Sequence, residues 1–116
     1  MDWNSSDADG GKLAFSSLWT SVDGSEGGTV NFVIDALIFP DDAALDTALA
    51  TVGTCNDTWI VAGDMHVSEY STPAVVTGSP GQTMIVKATR DSATDTFDGT
   101  AQLIGVKVKY IYTLAG

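Results

Sequence analysis

Apolar and polar residues alternate most regularly in the last third of the chain. Between residues 101 and 114, Ile104, Val106, Val108, Tyr110, Tyr112 and Leu114 share one phase of a two-residue repeat. Gly105, Lys107, Lys109 and Thr113 share the other, with Leu103 and Ile111 as apolar exceptions. A helix scatters the first set around its circumference, whereas a strand puts it on one face. Met84, Val86 and Ala88 against Thr83, Lys87 and Thr89 predict a second strand of the same kind. Two half-apolar strands need a covering layer. Residues 29–39 supply its strongest piece, where Val30, Phe32, Ile34, Ala36 and Ile38 alternate with polar residues until Pro40 ends the run. Residues 12–22 predict another strand, with Leu13, Phe15 and Trp19 in one phase and Leu18 in the other. That blurring predicts a bulge near Ser16-Ser17-Leu18, or burial of both faces.

The remaining segments are shorter. Asp23-Gly24-Ser25-Glu26-Gly27-Gly28 is a turn. Residues 41–49 predict a helical insert of one or two turns. Asp41 and Asp42 lie in its first turn, where the helix dipole favours acids, Leu45 and Leu49 are spaced i, i+4, and Gly53 stops it. Residues 59–62 and 65–70 predict two strand pieces broken by Gly63-Asp64, and 73–77 another before the Ser79-Pro80-Gly81 turn. The sum is an all-β fold, an antiparallel β-sandwich of seven or eight strands with one short helical insert. It forms a single domain over 12–116, preceded by an N-terminal arm over 1–11. Trp3 is the arm's anchor, tacked onto its own domain or inserted into a neighbour.

Composition narrows the function classes. At 116 residues and 44% hydrophobic, the chain closes one core and no second. Fifteen acids against five Lys and Arg give a formal charge of −10. Phosphate neutralisation needs clustered cations, so neither nucleic acid nor an anionic membrane surface is an expected partner. A basic partner surface suits the charge better. Cys55 is the single cysteine, so no intrachain disulfide forms; it reads as a small apolar filler near a turn. The acidic start Met1-Asp2-Trp3-Asn4 is unlike a signal peptide, and no Sec-type export is expected.

Candidate chemistry is sparse. His66 is the only histidine, and it shares one strand face with Asp64 and Ser68. Side chains that project in parallel about 7 Å apart do not converge as a triad must. His66 therefore reads as a solvent-facing or interface residue. Asp7-Ala8-Asp9-Gly10 and Asp91, Asp95 and Asp98-Gly99 offer oxygen ligands for calcium, but neither has EF-hand spacing, and turn capping is the preferred reading. Nucleotide, redox and hydrolase motifs are missing, so neither a cofactor nor enzymatic activity is expected. Arg90 follows Val86 and Ala88 on the inward phase of its strand. It is expected to pair with Asp91, Asp95 or Asp98 and lock the loop that ends at Gly99.

The run from Val86 through Arg90-Asp91, Asp95-Thr96-Phe97-Asp98-Gly99 and Leu103-Ile104-Gly105-Val106 to Tyr110 resembles the C-terminal signature of small β-sandwich virion proteins of tailed bacteriophages. Gly63-Asp64-Met65-His66-Val67-Ser68 resembles the mid-domain strand of that group, so the likeness spans about residues 28–114. It implies a jelly-roll module assembling as a homotrimer, used as a capsid decoration (cement) protein or as a head- or tail-fibre domain. A start at Met1 without an attachment shaft suits a stand-alone decoration subunit, made in the host cytoplasm and bound to the major capsid protein on the outer surface of the virion. Contacts are then expected at Trp3, at Leu45 and Leu49, and at Pro80 in its turn. The alternative is a receptor-binding fibre tip that reads a host glycan or protein with exposed aromatics such as Trp59 or Tyr70.

Overall fold

A computed structural model describes residues 12–24, 27–79 and 81–111. Its strands are β1 (Lys12–Thr20), β2 (Thr29–Phe39), β3 (Ala50–Thr58), β4 (His66–Val67), β5 (Thr83–Arg90) and β6 (Gln102–Ile111). They form two antiparallel three-stranded sheets, ordered β4-β1-β6 and β3-β2-β5. The sheets face each other across one core. Leu13, Phe15 and Trp19 come from the first, and Val30, Phe32, Ile34, Ala36 and Cys55 from the second. The architecture is all-β, with six strands among the described residues in place of the seven or eight expected.

Three segments depart from the sequence pattern. No helix forms at 41–49; the chain makes successive turns there, closed by Ala43 N–H to Pro40 O (3.2 Å) and Thr47 N–H to Ala44 O (3.3 Å), with Asp42 at a φ of 64°. A helix this short is stable only if one face is buried. Here Leu45 is 79% exposed, and a strand takes over at Ala50. β3 itself was hidden by its Thr, Asn, Asp and Gly content. Gly53 does not stop an element: it sits opposite Ile34, and a Cβ there would come within 2.8 Å of Ser71 Cβ. The third departure is residues 59–77, where only His66–Val67 and an isolated Leu13–Ala74 bridge are strand-like.

Serine chemistry explains that last departure. Residues 68, 71 and 74 advance by three while their partners Ser17, Phe15 and Leu13 advance by two, so a regular ladder is impossible. Their N–H groups reach the Ser17, Phe15 and Leu13 carbonyls at 2.9, 2.7 and 2.8 Å. In return, Ser17 N–H and Phe15 N–H donate to the hydroxyls of Ser68 (2.8 Å) and Ser71 (2.9 Å), and Leu13 N–H to Ala74 O (2.8 Å). Side-chain oxygens thus replace two backbone acceptors. β1 is buried on both faces by this cover, Ala14 and Ser16 as completely as Phe15 and Trp19. The expected burial of both faces is thus found; the expected bulge is not in this stretch, since the register shift between Leu18 and Trp19 places its extra residue on the partner strand.

That shift inserts one residue on β6. Gly105 pairs with Leu18 and Leu103 with Trp19, leaving Ile104 without a partner. A one-residue bulge reverses the phase beyond it. Leu103, expected as an exception, therefore shares the Trp19 face, and Ile104 is 57% exposed.

Candidate functional site

The loop between β5 and β6 is built around Arg90. Its Nε and Nη2 donate to the two carboxylate oxygens of Asp95 at 2.7 and 3.0 Å. Nη1 and Nη2 also donate to the carbonyls of Gly99 and Phe97, each at 2.6 Å. The planar guanidinium fits this bidentate grip on a carboxylate. The Arg90 guanidinium holds the Asp95 carboxyl below its ordinary range, and Asp95 holds Arg90 above its own. Asp95 is therefore the chosen partner among the three aspartates considered. Asp91 shapes the turn through its backbone, accepting from Thr94 and Asp95 N–H at 3.2 Å each, and Asp98 lies exposed at the loop surface.

The clamp aims Phe97 inward. Its ring packs at 5.5 Å from Trp19 and 5.9 Å from Trp59, with the Arg90 guanidinium 5.4 Å away. Glycines leave it room. A Cβ at Gly99 would stand 2.6 Å from both the ring and Asp23 O, and one at Gly24, whose φ is +103°, would also meet the ring at 2.6 Å. Thr100 N–H donates to Asp23 Oδ1 at 2.7 Å, and this bond, with Ser21, lowers the Asp23 pKa. The loop is a structural plug at one end of the sandwich.

The two sheets are joined differently on their two flanks. On the β3 side, Cys55 Sγ–H bonds Phe15 O at 3.0 Å across the sheets. Burial pushes the Cys55 thiol pKa up. The cysteine lies mid-strand in the core, away from any turn. On the opposite flank β5 and β6 are the terminal strands of their sheets. Beyond the Arg90 plug they leave a groove of about 260 Å³, lined by Leu13, Ile38, Met84 and Val108 with Ser79, Gly81 and Gln82 at its rim. Val108, opposite buried Phe15, remains 44% exposed because nothing among the described residues covers it.

The other expected site residues fall as follows. Leu45 is exposed beside Asp41 and Asp42 in a shallow hollow that also includes Gly81, so the 41–49 excursion and Gly81 are neighbours. Leu49 is half-buried. Trp3, Pro80, Asp7 and Asp9 lie outside the described residues. His66 is not solvent-facing: it is 9% exposed, stacks on Trp19 at 4.8 Å, and its Nε2 lies 3.2 Å from Val61 O. Trp19 fills the space beneath its strand, which turns the imidazole into core. The Ser68 hydroxyl is engaged with β1, and no group of three metal-ligating side chains occurs among the described residues. Trp59 is 7% exposed against Phe97 and so unavailable to a glycan.

Sequence reasoning missed Ile104 and Val108 as surface residues, because an alternating pattern reports which side chains share a face and not whether a second strand covers that face. Tyr70 was missed as a support: the Lys109 and Lys107 ammonium groups lie 4.3 and 5.7 Å from its ring centroid. Comparison with protein-family models, with curated proteins and with solved structures finds no match for this chain.

Proposed function

We propose that this chain is a structural virion protein, a decoration subunit that binds the major capsid protein on the outside of a phage head. The open β5/β6 flank is the observation that carries the reading. A small domain whose described residues leave an apolar groove, Ile104 and Val108 uncovered has a surface suited to burial against another protein. Cementing is a linkage effect: a subunit that binds the assembled shell and not its dissociated parts stabilises the shell in proportion to occupancy. The work is done by a rigid, interlocked sandwich and needs no reacting group. The proposal includes jelly-roll-like kinship and a homotrimer, with the Leu45 excursion and the neighbouring turn as further contacts.

The test is copy number and heat stability on purified particles. Hundreds of copies spread over the head, together with capsids that rupture at lower temperature when stripped of the protein, are expected. A few copies on the tail or at one vertex would sink the reading.

A further inference from the structure

We propose that the outer face of β6, together with Lys12, docks an acidic extended segment of another protein. This holds whether or not the protein belongs to a phage head. The chain has five Lys and Arg against fifteen acids, yet three of the five gather on one face. Lys107 and Lys109 lie opposite Ser16 and Ala14, and Lys12 lies opposite Ile111. Directly opposed residues of adjacent strands share a face, and so do alternate residues of one strand. All three lysines therefore stand on the side of the sheet away from Phe15 and the core, with Lys12 diagonal to Lys109.

These charges are not neutralised within the fold. The three lysines are exposed, and none forms an ion pair among the described residues. The other two cations are answered: Lys87 lies opposite Asp35, and Arg90 is held by Asp95. β1 and β6 carry no acid, and Glu69 lines a hollow with Asn56 and Asp57 on the β3 side. Tyr70, next in sequence, belongs to the segment that bonds β1 on the side opposite β6, so its ring crosses β1 to reach the lysines. The Lys109 and Lys107 Nζ atoms lie 4.3 and 5.7 Å from the ring centroid. A ring that holds two long side chains reduces the freedom they lose on binding.

Spacing selects the partner. Alternate residues of a strand are about 7 Å apart, so alternate carboxylates of an extended segment match Lys107 and Lys109 one to one. A compact anion such as phosphate is better served by a guanidinium fork or a nest of backbone N–H groups than by separate ammonium groups on a strand face. A long, dense polyanion such as nucleic acid runs past three lysines into the field of fifteen acids. A second copy fits less well, because β2 and β3 carry one acid each, Asp35 and Asp57, and the other strands none. No described strand thus offers alternate carboxylates.

The experiment titrates the full chain with a labelled peptide alternating glutamate and threonine, with its glutamine counterpart, and with heparin. At physiological salt the glutamate peptide is expected to bind about tenfold tighter than the glutamine one, the worth of three exposed ion pairs. The preference should vanish near 1 M salt, where charges are screened beyond about 3 Å. Amide shifts on binding should centre on Lys12, Lys107 and Lys109. K12Q/K107Q/K109Q should abolish the preference and K87Q should leave it intact. Each single substitution, which guards against a triple variant that does not fold, should lower it about twofold. Equal affinity for both peptides, no binding, a preference unchanged in the triple and single variants, or shifts centred on Lys87 would overturn the proposal. So would heparin binding tighter than the glutamate peptide, which makes the partner an anionic glycan. Salt-sensitive self-association that the triple variant loses would overturn it too, by making the partner a second copy.

Discussion

Arg90 does at the residue scale what a disulfide does in other small β domains: it fixes a loop across two sheets. Four short hydrogen bonds converge on one guanidinium, and two of their acceptors are backbone carbonyls. A lysine offers a point charge in place of a fork, so R90K is expected to destabilise by about 2 kcal/mol. D95N should cost a similar amount by leaving the guanidinium half-paired. Chemical denaturation of both variants measures this, and a loss under half that size in each would mean that the loop is held by Phe97 alone. The pair also sets an acid limit. Because the Asp95 pKa is lowered from 3.8 in the fold, the unfolded chain binds more protons there, and stability rises with pH across that window. Stability should thus be complete above 3.8 and fall as pH drops through the lower folded value. In D95N that part of the acid slope should vanish, which a urea series at several acidic pH values tests directly. Cys55, by contrast, is buried with a raised pKa, and should resist thiol reagents until the protein unfolds.

Among the elements, β2 and β5 were legible within a residue or two, because alternation was strong and turn residues bounded each, and β6 was legible at its start, its expected end at Leu114 lying outside the described residues. The pairing of Arg90 with a loop carboxylate was legible too, since a charged residue on an inward phase must find a counter-charge. β3 was not, because ATVGTCNDT has one fully buried apolar residue, Cys55, and its identity as a strand comes from the ladder with β2. Nor was the phase of β6. From sequence alone Ile104 and Val106 are equivalent inward residues; the β6 bulge, in which Ile104 is the extra residue, separates them. Ile104→Lys should therefore change stability by less than about 0.5 kcal/mol. Val106→Asp, which puts a carboxylate against the core, should cost on the order of 3 kcal/mol. Thermal unfolding of the two variants decides it, and equal losses would restore the unbulged register.

At the scale of the whole molecule, asymmetry is the main property. Among the described residues, one flank of the sandwich is sealed by Cys55, Gly53 and the serine-bonded segment, and the other is left open beyond the Arg90 plug. An open flank has two physical explanations that give opposite mutational outcomes. If it is merely an imperfect core, making it polar removes partly buried apolar area and costs stability without touching any other property. If it is a working surface, Ile104 and Val108 contribute much to association, because about half of each side chain is still left to bury when a partner arrives. The double variant I104S/V108S should then retain its unfolding temperature within a few degrees, yet lose most of its binding to capsids. A parallel substitution of exposed Leu45 by serine serves as a comparison on the far side of the groove rim. Normal capsid binding by I104S/V108S, with loss in the Leu45 variant, would move the working surface from the open flank to the 41–49 excursion. Loss of stability in the double variant with binding unchanged would leave the flank as core alone.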